Sequence, residues 1–146
     1  MNWTDEQLDA VWNKAKGAKD YNNDYKLDPV EAMMYRHKRQ DTNMAWEVDH
    51  IFPKEILDFF KIPIDKINNL DNLRAMQHSN NESKGISFPE YSYAKIWDED
   101  MQKNVDESGN ATVNDNTINK LRSLFEPLLG MTLEEAVEKY HRLHKN

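Results

Sequence analysis

The sequence predicts an α+β fold that is mostly helical, and three patterns indicate this class. Capping boxes followed by apolar residues at helical spacing occur near both ends of the chain. Two short apolar runs, AWEVDHIF at 45–52 and LRAM at 73–76, are typical of strands. Pro53 ends the first run because proline cannot donate a hydrogen bond to a strand ladder. At 146 residues the chain is expected to form a single domain, 1–146.

Residues 1–45 are expected to form a helical support for the core of the domain. Thr4 and Gln7 have the spacing of an N-cap and an N3 residue. Apolar residues at helical spacing then predict a helix over about 5–16, with Gly17 as its end. The polar segment at 18–29 is interpreted as a loop, and 30–39 fits either a helix or a strand.

The elements after the first strand are predicted from local signals. PKEILDFF at 53–60 predicts a short helix with proline in its first turn, and the asparagine-rich 64–72 is interpreted as a loop. SNNESKG at 79–85 predicts a helix end stopped by Gly85. Residues 88–146 are expected to be a helical extension with a loop near 106–116. Its helices are predicted at about 116–129 and 132–144, the second opened by a capping box at Thr132.

Composition excludes several classes of protein and site. The chain contains no cysteine, so disulfides and thiolate zinc sites are ruled out, and any metal must be held by oxygen and nitrogen ligands. No apolar run approaches the roughly 20 residues of a membrane span. The first residues lack the cationic and apolar regions of a signal peptide. We therefore expect a cytoplasmic protein with no membrane partner, with delivery as an effector left open.

The charge pattern bears on nucleic-acid binding. The net charge is −7, and residues 86–146 hold eleven acidic against seven basic side chains. Nucleic-acid binders usually show a basic face, so this sign argues against tight nonspecific DNA binding but allows a local cationic groove. The basic cluster YRHKR at 35–39 precedes the first strand. Arg36, Lys38 and Arg39 either position phosphate or form an ordinary solvated face.

Three polar segments occur in a fixed order. They are Asp49-His50, then Asp71-Asn72-Leu73-Arg74, then NNESKG at 80–85. Each is common by chance, but together they place an acid–imidazole pair on a strand, an asparagine before a second strand, and an asparagine on a short helix.

This ordered set resembles the HNH endonuclease family. The matching stretches are WEVDHIFP at 46–53 and NLDNLRAMQHSNNESKG at 69–85, so residues 46–87 would be the core. AVWNKAKGAKDY at 10–21 and KLDPVEAMMYRHK at 26–38 are similar to small free-standing HNH proteins, so the resemblance covers about 3–87. It implies a ββα-metal fold, a β-hairpin packed on a helix around one divalent ion.

The resemblance also implies roles for individual residues. His50 would be the general base, and Asp49 and Asn81 would be metal ligands. Asn72 would orient His50 or brace the loop before the second strand. Mg²⁺ is the expected ion because it prefers oxygen ligands, with Mn²⁺, Ni²⁺ or Zn²⁺ as alternatives. A histidine with a pKa near 6.5 can accept a proton from water at neutral pH.

Two departures and one geometric difficulty accompany the resemblance. Many relatives carry a histidine four residues before the final asparagine, where this chain has Gln77, so His78 is a candidate third ligand. Many also brace the hairpin with a four-cysteine zinc site, which this chain must replace by packing. Adjacent strand residues point to opposite faces, so Asp49 and His50 share a site only if the strand ends or twists there.

We therefore expect a metal-dependent endonuclease that cuts DNA. Lys84 either contacts phosphate or complements the C-terminus of its helix. One alternative is a nuclease-derived module that binds protein or nucleic acid, since the acidic last third suits a protein partner. Another is a toxin or effector neutralised by an inhibitor protein.

Overall fold

The computed structural model describes residues 2–37 and 42–145. The described chain contains both helices and antiparallel strands. The helices are α1 (Asp5–Lys14), α2 (Lys54–Phe59), α3 (Ile64–Ile67), α4 (His78–Lys84), α5 (Asp115–Leu129) and α6 (Leu133–Leu143), with a short 3₁₀ helix at Leu70–Asn72. The strands are β1 (Lys16–Gly17), β2 (Tyr25–Leu27), β3 (Met33–Tyr35), β4 (Trp46–His50), β5 (Leu73–Gln77), β6 (Glu90–Asp98) and β7 (Lys103–Thr112).

The α+β class is confirmed, and the strands form three small antiparallel sheets in the described chain. β1, β2 and β3 make one sheet, while β4 pairs with β5 and β6 with β7. The helical prediction for the C-terminal extension is wrong for 90–112, and the loop predicted near 106–116 is strand β7 up to Thr112. β7 has the sequence KNVDESGNAT, which is poor in β-branched and aromatic residues, so its pairing with β6 has no local signal.

Local capping signals predict several boundaries correctly. Both capping boxes form, Thr4 with Gln7 and Thr132 with Glu135. Gly85 ends α4 with φ of 52°, a backbone conformation that favours glycine. Gly17 does not end α1, because that helix stops at Lys14 and Gly17 belongs to β1.

Other predicted elements differ in detail. The segment 1–45 is not a purely helical support, because it contains a three-stranded sheet: β2 lies in the loop predicted at 18–29 and β3 in the ambiguous segment 30–39. The loop predicted at 64–72 contains α3 and the 3₁₀ helix. The strands predicted from 45–52 and 73–76 are β4 and β5. None of the described helices is both long and apolar enough to cross a membrane.

Two buried apolar clusters hold these elements. α1 packs on one face of the β4–β5 hairpin through Val11, Trp12, Trp46 and Leu73. The larger cluster joins the segment after β4 to the two C-terminal helices, with Phe52 in contact with Phe125 at a ring distance of 6.1 Å. The hairpin thus lies between α1 and the rest of the chain.

The buried carboxylate of Asp28 braces separate segments of the described chain through hydrogen bonds. Asp28 is 2 % exposed, and its Oδ1 accepts hydrogen bonds from the backbone N–H groups of Val30 and Ala32 at 3.0 and 2.9 Å. Its Oδ2 accepts from the Gln77 backbone at 3.2 Å and from Asn80 Nδ2 at 3.0 Å. One side chain therefore joins the loop after β2 to the end of β5 and to α4.

The brace extends to the long hairpin. Asn80 Oδ1 accepts from the backbone N–H groups of Ala94 and Lys95, both at 2.8 Å, and its Nδ2 donates to the Lys95 carbonyl at 2.9 Å. The buried Asn104 on β7 exchanges two hydrogen bonds with the backbone of Met33. These amides fix β6 against α4 and β7 against β3.

Replacing Asp28 by Asn is expected to lower the free energy of unfolding by about 3 kcal/mol. The NH₂ group of the new amide would face the N–H donors of Gln77 and Asn80, so these hydrogen bonds would be lost. Urea denaturation measures this. The matched control is Asp100→Asn in the exposed β6–β7 turn, expected within about 0.5 kcal/mol of wild type. Equal stability of the two variants would contradict the bracing role.

Candidate active site

Asn72 closes the connection between the two strands of the β4–β5 hairpin. Its side chain is fully buried; Oδ1 accepts from the Phe52 backbone N–H at 2.7 Å, and Nδ2 donates to the carbonyls of Phe52 and Ile67 at 3.2 and 3.1 Å. Its own carbonyl accepts from Ile51 N–H at 2.8 Å. Of the two roles expected for Asn72, these contacts describe bracing of the loop.

Asp49 is held between two cationic side chains. It lies opposite Arg74 in the hairpin register and is 5 % exposed. Arg74 Nε lies 2.9 Å from its Oδ2, and Lys84 Nζ lies 3.3 Å from its Oδ1. A carboxylate this deeply buried needs such partners, because an unpaired charge is costly away from water.

Lys84 lies inside the protein, not on its surface. Its side chain has 0 % exposure, and its ammonium also donates to the His50 carbonyl at 3.3 Å. Burial lowers the pKa of Lys84, and the charge of Asp49 opposes that shift. This placement disfavours the phosphate-contact hypothesis for Lys84, because its ammonium would have to leave Asp49 to meet a ligand.

His50 points away from Asp49, as expected for neighbours on a strand. Its Nε2 lies 2.8 Å from Asn68 Oδ1, and its ring centroid lies 5.7 Å from that of Trp3. Burial lowers the pKa of His50, while the hydrogen bond to Asn68 and the charge of Asp49 oppose the shift. The imidazole is therefore mainly neutral at pH 7.

Asn81 and His78 both contact the carboxylate of Glu47. Asn81 Nδ2 donates to Glu47 Oε1 at 2.8 Å, and His78 Nδ1 lies 2.8 Å from Glu47 Oε2. His78 Nε2 also contacts Glu82 Oε1. Glu47 and Asp49 are two apart on β4 and share a face, so α4 runs beside that face with Asn81 at Glu47 and Lys84 at Asp49.

The three residues expected to surround one ion thus have separate partners. Asp49 contacts Arg74 and Lys84, His50 contacts Asn68, and Asn81 contacts Glu47. Within residues 2–37 and 42–145, no group of three or more His, Asp or Glu side chains surrounds a common ion position. Convergence of the three on a single ion stays a prediction.

The donor set still fits a hard cation in its chemistry. The carboxylates of Glu47 and Asp49 lie on the β4 face beside α4, which also carries the Asn81 amide. Mg²⁺ prefers oxygen ligands and often takes few from the protein. Because Asp49 is paired with Arg74 and Lys84, an ion at this carboxylate would compete with two cations.

Glu47, Asn68 and Arg74 were not among the predicted site residues. The period of two along a strand could have placed Glu47 on the face of Asp49. Asn68 is separated from His50 by eighteen positions and meets it only through the folding of the intervening loop. Arg74 belongs to the matching stretch at 69–85, but its pairing with Asp49 depends on the strand register.

The basic cluster at 35–39 is only partly described. Arg36 pairs with Asp9, and its guanidinium carbon lies 5.8 Å from the centre of the Trp12 ring. These contacts direct Arg36 toward α1. Lys38 and Arg39 lie outside the described residues, so their predicted phosphate contacts stay predictions.

Comparison of the chain with family models, with curated proteins and with solved structures gives no match. Function must therefore be inferred from the residues and their contacts.

Replacing Lys84 by Met should lower the free energy of unfolding by about 2 kcal/mol, because the buried Asp49 carboxylate loses one of its two cationic partners and keeps only Arg74. Thermal or urea unfolding measures the loss. Lys54→Met provides the control, since its pair with Asp58 is partly exposed and is worth under about 0.5 kcal/mol. A Lys84→Met protein as stable as wild type would show that the buried pair contributes little.

Proposed function

We propose that the chain is a divalent-metal-dependent endonuclease of the HNH type that hydrolyses phosphodiester bonds in DNA. The observation that carries this proposal is the placement of α4 along the Glu47–Asp49 face of the β4–β5 hairpin. The resemblance implies a β-hairpin packed on a helix, and the contacts of α4 with this hairpin support that part of the proposal. The bracing by Asn72 of the loop after β4 also supports it, whereas His50 at the end of β4 points away from that face toward Asn68.

His50 is suited to act as a general base. Its lowered pKa keeps the ring neutral at pH 7, as acceptance of a proton from water requires. The amide oxygen of Asn68 can only accept, so Nε2 carries the ring proton and Nδ1 is left with a lone pair. Asn68 is thus a positioning residue that selects the tautomer of the base.

The metal would be held by Asp49 and Asn81, with Glu47 as a further oxygen ligand and His78 beside it. When bound, the ion would stabilise negative charge on the phosphate and on the leaving oxygen. Lys84 and Arg74 hold the Asp49 carboxylate in place in a buried position. α4 fixes the distance between this carboxylate and the Asn81 amide.

A nuclease-derived binding module is the second candidate, and one observation favours it. Both Asp49 oxygens are already paired with cations of the chain itself, which compensate its charge. The acidic residues of 86–146 suit a protein partner, such as an inhibitor, better than they suit DNA. This candidate predicts partner binding with no cleavage.

Replacing His50 by Ala should reduce cleavage on the order of 100-fold or more, because a general base contributes about that much. The assay is nicking of supercoiled plasmid with Mg²⁺ or Mn²⁺, and EDTA should stop it. His141→Ala on α6 is the control and should cleave normally. Full activity of His50→Ala would eliminate the assignment, whereas an inactive wild type with a stable protein partner would favour the binding module.

The acid limb of the pH–rate profile should lie below pH 6.5, because burial favours the neutral imidazole and lowers the pKa of His50. The rate should be flat around pH 7–8 and fall as the ring gains a proton. Asn68→Asp adds a negative charge beside the ring and should move the limb to higher pH. Steady-state kinetics from pH 5 to pH 8 give both curves, and an unmoved limb in Asn68→Asp would exclude His50 as its origin.

A further inference from the structure

A cleft with a volume of about 700 Å³ lies beside β5. It is bounded by the end of α1, the loop after β2, the β6–β7 hairpin and the start of α5. Four basic side chains reach it from different elements, namely Lys14, Lys16, Arg74 and Lys120. In a chain of net charge −7, so many cations at one concave surface point to an anionic ligand.

The acidic side chains of the cleft balance these cations only in part. The Asp28 carboxylate already accepts four N–H hydrogen bonds, and Glu31 pairs with Lys16 at 2.8 Å. Asp71 also lines the cleft and faces the basic groups. The lining therefore carries four basic against three acidic side chains, and Arg74 is in addition paired with Asp49, which lies outside the lining.

Two of these cations are fixed in place before any ligand arrives. Lys14 Nζ donates to the carbonyls of Leu70 and Leu73, both at 2.6 Å, and Arg74 Nε is bonded to Asp49. Burial lowers the pKa of Lys14, and the charges of Lys120 and Arg74 lower it further while Asp71 raises it. Lys14, Lys120 and Arg74 all line the same cleft, so a bound anion would reduce the repulsion among them.

Arg74 connects the cleft to the proposed active site. Arg74 Nε donates a hydrogen bond to Asp49. Arg74 Nη2 is buried, and no group in the described chain accepts a hydrogen bond from it. A buried guanidinium donor without an acceptor is unusual and costly. The guanidinium carbon lies 5.0 Å from the centre of the Tyr91 ring, which also lines the cleft.

The remaining lining suits a nucleic-acid backbone. Tyr93 lies opposite Gly109 in the hairpin register, and a Cβ at Gly109 would come within 2.4 Å of the Tyr93 hydroxyl, so this glycine permits the position of the ring. Asn114 and Thr117 bring the N-terminal end of the long helix α5 to the cleft. Basic, amide and hydroxyl groups contact phosphate and sugar, and tyrosine rings stack on bases.

We propose that this cleft binds the phosphate groups of a nucleic-acid strand and leads that strand past Arg74 to Asp49. The site deepens the proposed endonuclease function and rests on it for its biological role. Binding in the cleft is nevertheless measurable without catalysis. A free nucleotide or inorganic phosphate offers the same chemistry, so the experiment must separate a strand from a small anion.

The test uses the full chain with His50→Ala, in EDTA, so that the strand stays intact. Binding of a fluorescein-labelled 12-nucleotide single strand and of the matching duplex is followed by anisotropy at several salt concentrations. Lys120→Glu should weaken binding about tenfold. It should also reduce the magnitude of the slope of log K against log salt by about one, the change expected for the loss of one phosphate contact. Lys103→Glu makes the same charge change at the start of β7, outside the cleft, and should bind like its parent.

Equal losses in Lys120→Glu and Lys103→Glu would overturn the proposal, because binding would then follow net charge alone. Displacement of the strand by inorganic phosphate or a mononucleotide at low concentration would also overturn it, in favour of a small-anion pocket. A third variant, Gly109→Ala, should weaken binding by displacing Tyr93 without changing any charge.

Cleavage by the two lysine variants in a chain that keeps His50 separates the two proposals. If the wild type cleaves plasmid and Lys120→Glu cleaves and binds equally well, the proposed strand binding in the cleft is rejected and the proposed endonuclease activity is kept. If the wild type never cleaves but Lys120→Glu loses strand binding, the proposed endonuclease activity is rejected and the proposed strand binding in the cleft is kept.

Discussion

The hydrogen bonds accepted by the buried Asp28 carboxylate fix the relative positions of the segments around the candidate site. This carboxylate accepts four hydrogen bonds and joins the loop after β2, the end of β5 and the first turns of α4. A buried carboxylate is tolerated only when such donors satisfy it, so each of these segments has one position relative to the others. In a chain without cysteine, this polar brace holds segments together as a disulfide or a thiolate-bound metal does in other small proteins.

The site itself depends on a second buried charge. Asp49, Arg74 and Lys84 form an ion triad between the hairpin and α4, so the last turn of the helix is held against the end of β4. The same triad places Arg74 between Asp49 and the basic cleft, which couples the candidate catalytic face to the candidate strand-binding surface.

How far the fold could be predicted from the sequence depended on whether each signal was local. The capping boxes at Thr4 and Thr132 and the glycine stop at Gly85 act within one helical turn, so residue types at fixed spacing were sufficient. The β6–β7 hairpin was missed because β7 has few strand-forming residues. Strand β7 is held by its pairing with β6 and by the hydrogen bond between Asn104 and Met33, which lie 71 positions apart in the sequence.

For the site, the sequence by itself determined the order of Asp49, His50, Asn72 and Asn81, the lack of thiolate ligands, and hence the chemistry available. Only the tertiary structure decided which partners those groups have, because strand alternation turns His50 to Asn68 and Asp49 to Arg74 and Lys84. The basic cleft also exists only in the folded chain. Its cations lie as far apart in sequence as Lys14 and Lys120, and long-range packing, not local propensity, brings them together.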